Sequence, residues 1–206
     1  MKEADTQNPI TQRYEFRIES LQDTEALMAL FADFLARDSV VNDDVHLRRV
    51  GLMGNHNNGK SKFANGIQNA LGADDVTEEI AESDRHKQSV RFSEKIGVIR
   101  HYDAGLRGDF RLKSAADPDF WDKYECGLDL CENPAWEKEG DFDFLFDIEK
   151  VDRRDRSESA PRDVTIYVDP VYLKNENFLN FLQSAQACFS SPESDVLSEA
   201  PASYDM

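Results

Sequence analysis

Val50-Gly51-Leu52-Met53-Gly54-Asn55-His56-Asn57-Asn58-Gly59-Lys60-Ser61-Lys62-Phe63-Ala64-Asn65-Gly66-Ile67-Gln68-Asn69-Ala70-Leu71-Gly72 joins a short apolar run, a glycine-bounded loop and an apolar face at helical spacing. From Gly54 to Ser61 it reads G-x-x-x-x-G-K-S, the P-loop pattern. Successive backbone N–H groups of such a loop wrap phosphate oxygens, and its glycines allow a close approach that a side chain would block. Gly54, Asn55, His56, Asn57, Asn58, Gly59, Lys60, Ser61 and Lys62 are therefore the expected nucleotide contacts. Lys60 is expected to reach the β- and γ-phosphates, and the Ser61 hydroxyl to sit on Mg2+. The flanks agree. Arg49–Met53 reads as a buried strand, and Phe63, Ile67, Ala70 and Leu71 mark one face of a helix that stops at Gly72.

Outward from the loop, residues 1–13 read as a flexible arm. Arg13–Glu19 alternates like a half-buried strand, and Ser20 and Asp23 open a helix running to about Ala36. Val45–Met53 feeds the loop. Residues 73–88 are acidic and suggest no definite form. Ser89–Phe92 and Ile96–Tyr102 read as two strands joined by a turn. Asp119–Cys126 reads as a short helix with Phe120, Trp121 and Tyr124 inward. Phe142–Glu149 and Val164–Val168 read as strands around a charged loop at Arg153–Pro161, and Asn177–Phe189 as an amphipathic helix. The pattern predicts an α/β chain, a P-loop NTPase-like three-layer α/β/α domain with a central mixed sheet. That domain spans 14–172, with a helix appended at 173–189 and a disordered acidic tail at 190–206.

Composition narrows the function. The 206 residues include 41 acids against 24 Lys and Arg, a formal charge of −17. Such a balance argues against broad independent nucleic-acid binding and suits a partner with a basic face. No long apolar run or signal-peptide core is present, so no membrane span is expected and a cytoplasmic location is the default. Cys126, Cys131 and Cys188 lack zinc spacing and read as reduced structural thiols.

A P-loop also needs carboxylates near its metal and attacking water. Ligands of open α/β sheets lie beyond the carboxyl ends of the strands, which points to His101-Tyr102-Asp103 and Asp147-Ile148-Glu149. Asp147 and Glu149, two apart, share a strand face. His56 is expected to face solvent, and His101 to support Asp103 or to pack.

The order of these features resembles the TsaE (YjeE) family, P-loop ATPases of bacterial threonylcarbamoyladenosine tRNA modification. Ser20-Leu21-Gln22-Asp23-Thr24-Glu25 looks like its helix opening, and Gly54–Phe63 like its Gly-Asp-Leu-Gly-Ala-Gly-Lys-Thr-Thr-Phe loop. Asn65-Gly66 and Ala70-Leu71-Gly72 are similar to its next helix. His101-Tyr102-Asp103 resembles its His-Phe-Asp, Gly127-Leu128-Asp129 its Gly-Leu-acid closing a helix, and Ile148-Glu149 its Ile-Glu-Trp. Ala160-Pro161 before Val164-Thr165-Ile166 resembles its Leu-Pro and following strand. The resemblance implies ATP and Mg2+ as cofactors, with Lys60, Asp103 and Glu149 catalytic and Ser61, Asp103 and Glu149 at the metal. It implies a slow or partner-dependent ATPase acting with a TsaB–TsaD-like complex. The family's Ser-Pro-Thr-Phe switch is not recognisable near Thr77, and Lys150 stands where it has Trp.

Two other functions fit the same residues. One is a small-molecule or nucleotide kinase whose Arg153, Arg154 and Arg156 close over a phosphoryl acceptor. The other is a non-catalytic P-loop interaction module, suggested by the absent switch and by Asn55, Asn57 and Asn58. A GTPase is disfavoured, because no Asn-Lys-x-Asp or Asp-x-x-Gly motif follows the loop.

Overall fold

The computed structural model describes residues 12–41, 47–75, 87–103, 127–132 and 142–189. In chain order they form β1 (Gln12–Ile18), α1 (Leu21–Val41), β2 (Arg48–Met53), α2 (Lys60–Ala70), β3 (Asp74–Asp75), β4 (Lys87–Ser93), β5 (Gly97–Asp103) and β6 (Leu128–Glu132). Then follow β7 (Phe144–Lys150), β8 (Arg162–Val168), a 3-10 turn (Pro170–Lys174) and α3 (Glu176–Cys188). All eight strands join one mixed sheet in the order β1-β8-β7-β2-β6-β5-β4-β3.

The four central strands, β7, β2, β6 and β5, run parallel, and antiparallel neighbours complete both edges. Their carboxyl ends therefore rise along one edge of the sheet. That edge carries the loop after Met53, Glu132 of β6 and the ends of β5 and β7. It is the rim where an open α/β sheet places ligands.

Local chemistry sets the elements. Ser20 Oγ accepts from the Asp23 N–H at 3.1 Å and donates to its carboxylate at 2.8 Å, which fixes the start of α1. The helix continues past the expected Ala36 to Val41. An Asp33–Arg37 pair and the Ser39 bond to the Leu35 carbonyl carry it on, and Asp38 is gripped by Arg48 of β2. α2 ends with Gly72 at φ +65°, as the stop signal predicts.

The described helices gather on one sheet face. Phe31 of α1 meets Phe144 at 5.2 Å, Phe146 at 4.9 Å and Phe181 of α3 at 5.5 Å between ring centroids, mostly edge-on. Phe178, Phe181, Leu182 and Ala185 of α3 are buried in this same core, so the last helix is integral to it. Gly66 lets α2 close on α1, since a Cβ there would stand 3.1 Å from Met28. The expected helix at Asp119–Cys126, together with Thr77, the arm over residues 1–11 and the tail, lies outside the described residues. No described helix is long and apolar enough to cross a membrane.

Two strands escaped the sequence reading, the two-residue β3 in the acidic stretch that suggested no definite form and a longer one in the middle of the sheet. Leu128–Glu132, assigned there only by its first residues to a helix end, is β6, inserted between β2 and β5.

Candidate functional site

The loop between β2 and α2 turns by left-handed residues. Gly54 has φ +131°, Asn57 +67° and Gly59 +97°. Only glycine suits the first position on both counts, because a Cβ at Gly54 would lie 2.3 Å from the Ile148 carbonyl oxygen of β7. Asn58, nearly buried, donates from Nδ2 to that same carbonyl at 2.6 Å and so pins the loop to β7. Asn55, His56 and Asn57 are exposed at the tip. The Lys60 ammonium donates to the carbonyls of Gly54 and Asn55, each at 3.0 Å, and draws the loop closed. α2 starts at Lys60, so the helix dipole and its first N–H groups face the loop.

Behind the loop lies Arg162, the first residue of β8, almost wholly buried. Its Nε donates to the Asn58 carbonyl at 2.8 Å, and its terminal nitrogens donate to the carbonyls of Ala160 at 2.7 Å and Glu158 at 2.8 Å. Burial pulls this guanidinium below its ordinary pKa, against the opposing charges of Asp155 and Glu158. A trans peptide points its N–H opposite to its C=O. Holding the Asn58 carbonyl toward Arg162 therefore turns the Gly59 N–H away from it. Lys150, the register partner of Arg162, is also buried, and its ammonium holds the carbonyls of Asp155 at 2.8 Å and Ser157 at 3.1 Å. Lys62 bonds Glu158 at 2.8 Å and keeps that carboxyl below its usual range. The β7–β8 connection, with exposed Arg153, Arg154 and Arg156, is thus fastened against the loop between β2 and α2.

The acids separate by sheet face. Leu52 of β2 pairs with Phe146 on one side and Glu132 on the other, which sets those three on one face. α2 covers it, with Phe63 packed on Phe146 at 6.4 Å. Glu132, 2% exposed, accepts from the Ser61 hydroxyl at 3.0 Å through Oε2, and its Oε1 lies 3.0 Å from His101 Nε2. Asp103 ends β5 beside Glu132 in register. Asp147 and Glu149 alternate to the opposite face of β7. Glu149 is half exposed and lies 3.5 Å from Arg153. Asp147 is held above the usual carboxyl range, chiefly by burial and then by the charge of Glu149, against a hydrogen bond from the Ile148 backbone.

The fold thus brings Gly54–Lys62 together as one loop and the start of α2, with Ser61 beside Glu132 and the Asp103 strand end, and Glu149 apart from them on the other sheet face. Glu132 and Arg162 were missed by the sequence reading. The signal for Glu132 was present in Leu128-Asp129-Leu130-Cys131-Glu132, an alternating run ending in an acid like the other two strand ends. For Arg162 there was none, since its partners are backbone carbonyls, which carry no side-chain signature, and the one in the loop, of Asn58, is 104 positions away.

Among the described residues no three His, Cys, Asp or Glu side chains cluster as a metal site. A hydroxyl and one carboxylate still suit Mg2+, which keeps much of its shell from water and phosphate.

No protein-family model and no curated protein matches the sequence. Among solved structures the chain is similar to YdiB of Bacillus subtilis. The two share 16% identity over 86% of this chain and 97% of that one, at a TM-score of 0.49.

Proposed function

We propose that this chain is a P-loop ATP-binding protein that hydrolyses ATP slowly with Mg2+, acts through a protein partner, and works in the cytoplasm. The observation that carries the reading is the loop: Gly54, Asn57 and Gly59 left-handed, Lys60 at the helix start, and the whole turn braced by Asn58 and Arg162. Such a curl presents backbone N–H groups to an anion at the head of a helix.

In this reading Lys60 exchanges its loop carbonyls for phosphate oxygens, and the amides of 55–61 bind the rest of the triphosphate. Ser61 takes the metal. When bound, Mg2+ would neutralise charge on the phosphate oxygens. Asp103 and Glu149 stand at strand ends of the same rim, where the family resemblance makes them the acids of turnover. That resemblance also motivates a TsaB–TsaD-like partner and a role in threonylcarbamoyladenosine modification of tRNA.

Calorimetry with ATP and Mg2+ tests the core of the proposal. Lys60→Ala is expected to abolish binding, whereas Glu149→Ala should leave affinity within about threefold and remove hydrolysis. Wild-type protein that binds no nucleoside triphosphate would refute it. A kinase is the second reading, favoured by the clamped loop that carries Arg153, Arg154 and Arg156 beside Lys62. ATP consumption that rises sharply with one added metabolite would select it.

A further inference from the structure

We propose that Glu132, positioned by His101, is the carboxylate of the divalent-metal site at the phosphate loop. This deepens the nucleotide reading and rests on it.

Glu132 sits at the carboxyl end of β6, the strand hydrogen-bonded directly to the one that feeds the loop. A carboxylate 2% exposed is costly unless hydrogen bonds compensate it, and an apolar residue could fill the same space. Here both oxygens are occupied, one by Ser61 and the other by His101. Ser61 itself is exposed. With its proton committed to Glu132 Oε2, its oxygen keeps lone pairs for a cation.

The histidine is fixed in turn. Gln68 Nε2, on α2, donates to the Ala64 carbonyl at 3.3 Å and lies 3.2 Å from His101 Nδ1. An amide N–H facing Nδ1 makes that nitrogen the acceptor, so Nε2 carries the proton and donates it to Glu132. Ser61, Glu132, His101 and Gln68 thus form a chain from the loop into the interior, with the carboxylate receiving two donors. Carboxylates that ligate metals are in turn held by outer hydrogen bonds, the role His101 takes here. Gln68 Oε1 is buried without a hydrogen-bond partner among the described residues, a cost accepted in holding this orientation.

Glu149 has none of this framing: it faces the other side of the sheet, half exposed, near Arg153. Asp103 ends β5 next to Glu132 in register.

The test is calorimetric binding of ATP to the full chain in EDTA and across a Mg2+ series, with Mn2+ binding followed by electron paramagnetic resonance. Glu132→Gln, close in shape, is expected to keep the EDTA affinity within about twofold and to raise half-saturating Mg2+ at least tenfold. His101→Leu should raise it about 10–100-fold, and His101→Gln, which restores a donor, should recover part of the loss. Glu132→Asp guards against misfolding: with the charge kept and the reach shortened, it should fall between wild type and Glu132→Gln. Wild-type Mg2+ dependence in Glu132→Gln, or its loss in Glu149→Gln alone, would overturn the assignment. Failure of the wild type to bind ATP in either condition would instead remove the nucleotide reading beneath it.

Discussion

At the scale of single residues, the acids of the rim differ by surroundings more than by type. Glu132 is enclosed and doubly hydrogen-bonded, whereas Asp147 is half-buried beside another negative charge. Burial and Glu149 raise the folded-state pKa of Asp147 above its unfolded value, so its ionisation costs stability at pH above that raised value. The cost vanishes below the unfolded pKa of about 4. Asp147→Asn is therefore expected to raise the melting temperature at pH 7, with a gain that closes as pH falls toward 4. Thermal unfolding of both proteins across that range checks it. An equal gain at pH 4 and 7 would show that charge is not the cause. Sequence showed that Asp147 and Glu149 share a face of β7; it did not show that Glu132 looks the other way.

At the scale of elements, the β7–β8 connection belongs mechanically to the phosphate loop. Lys150 and Arg162, facing each other at the strand ends, spend their donors on backbone carbonyls of that connection and of Asn58. Arg162→Met would leave three carbonyls without their guanidinium donors, at about 1–3 kcal/mol for each that water does not reach. The expected result is a clear drop in denaturation midpoint together with weaker ATP binding, because the Asn58–Gly59 peptide loses its anchor. Unchanged ATP affinity in a destabilised Arg162→Met would confine the residue to folding. The strand, loop and helix around Lys60 were legible because their signals are local: alternation, glycine placement and an i, i+4 apolar face. β6 was not, since five residues after a glycine look alike as a helix end or a strand until a neighbour pairs with them.

At the scale of the whole molecule, a buried polar link ties α1 and the start of α3 to β2 at the centre of the sheet. Arg48 at the start of β2 donates to Asp38 near the end of α1, and Asn175 reaches the same carboxylate at 2.7 Å while capping α3 through the Phe178 N–H at 3.0 Å. Asp38→Ala leaves a buried guanidinium without its anion and is expected to cost about 3–5 kcal/mol in urea unfolding. Asn175→Ala should cost about 1 kcal/mol as a lost cap. The two losses should not add, as they share one carboxylate. An additive double mutant would break the proposed coupling. This is why α3, read from sequence as an appendage, packs with α1 over the sheet.

The strand–loop–helix turn could be read directly from the chain, because Gly54, Gly59, Lys60 and Ser61 stand within eight consecutive residues and need no distant partner to be recognised. Which side chains surround it depended on strand order. Parallel pairing set β6 against β2 and brought Glu132 to Ser61 across 71 positions. Antiparallel pairing of β8 with β7 set Arg162 behind Asn58 across 104. Those neighbours are chosen by the burial of many apolar faces at once, a property of the folded sheet that no short window of sequence contains.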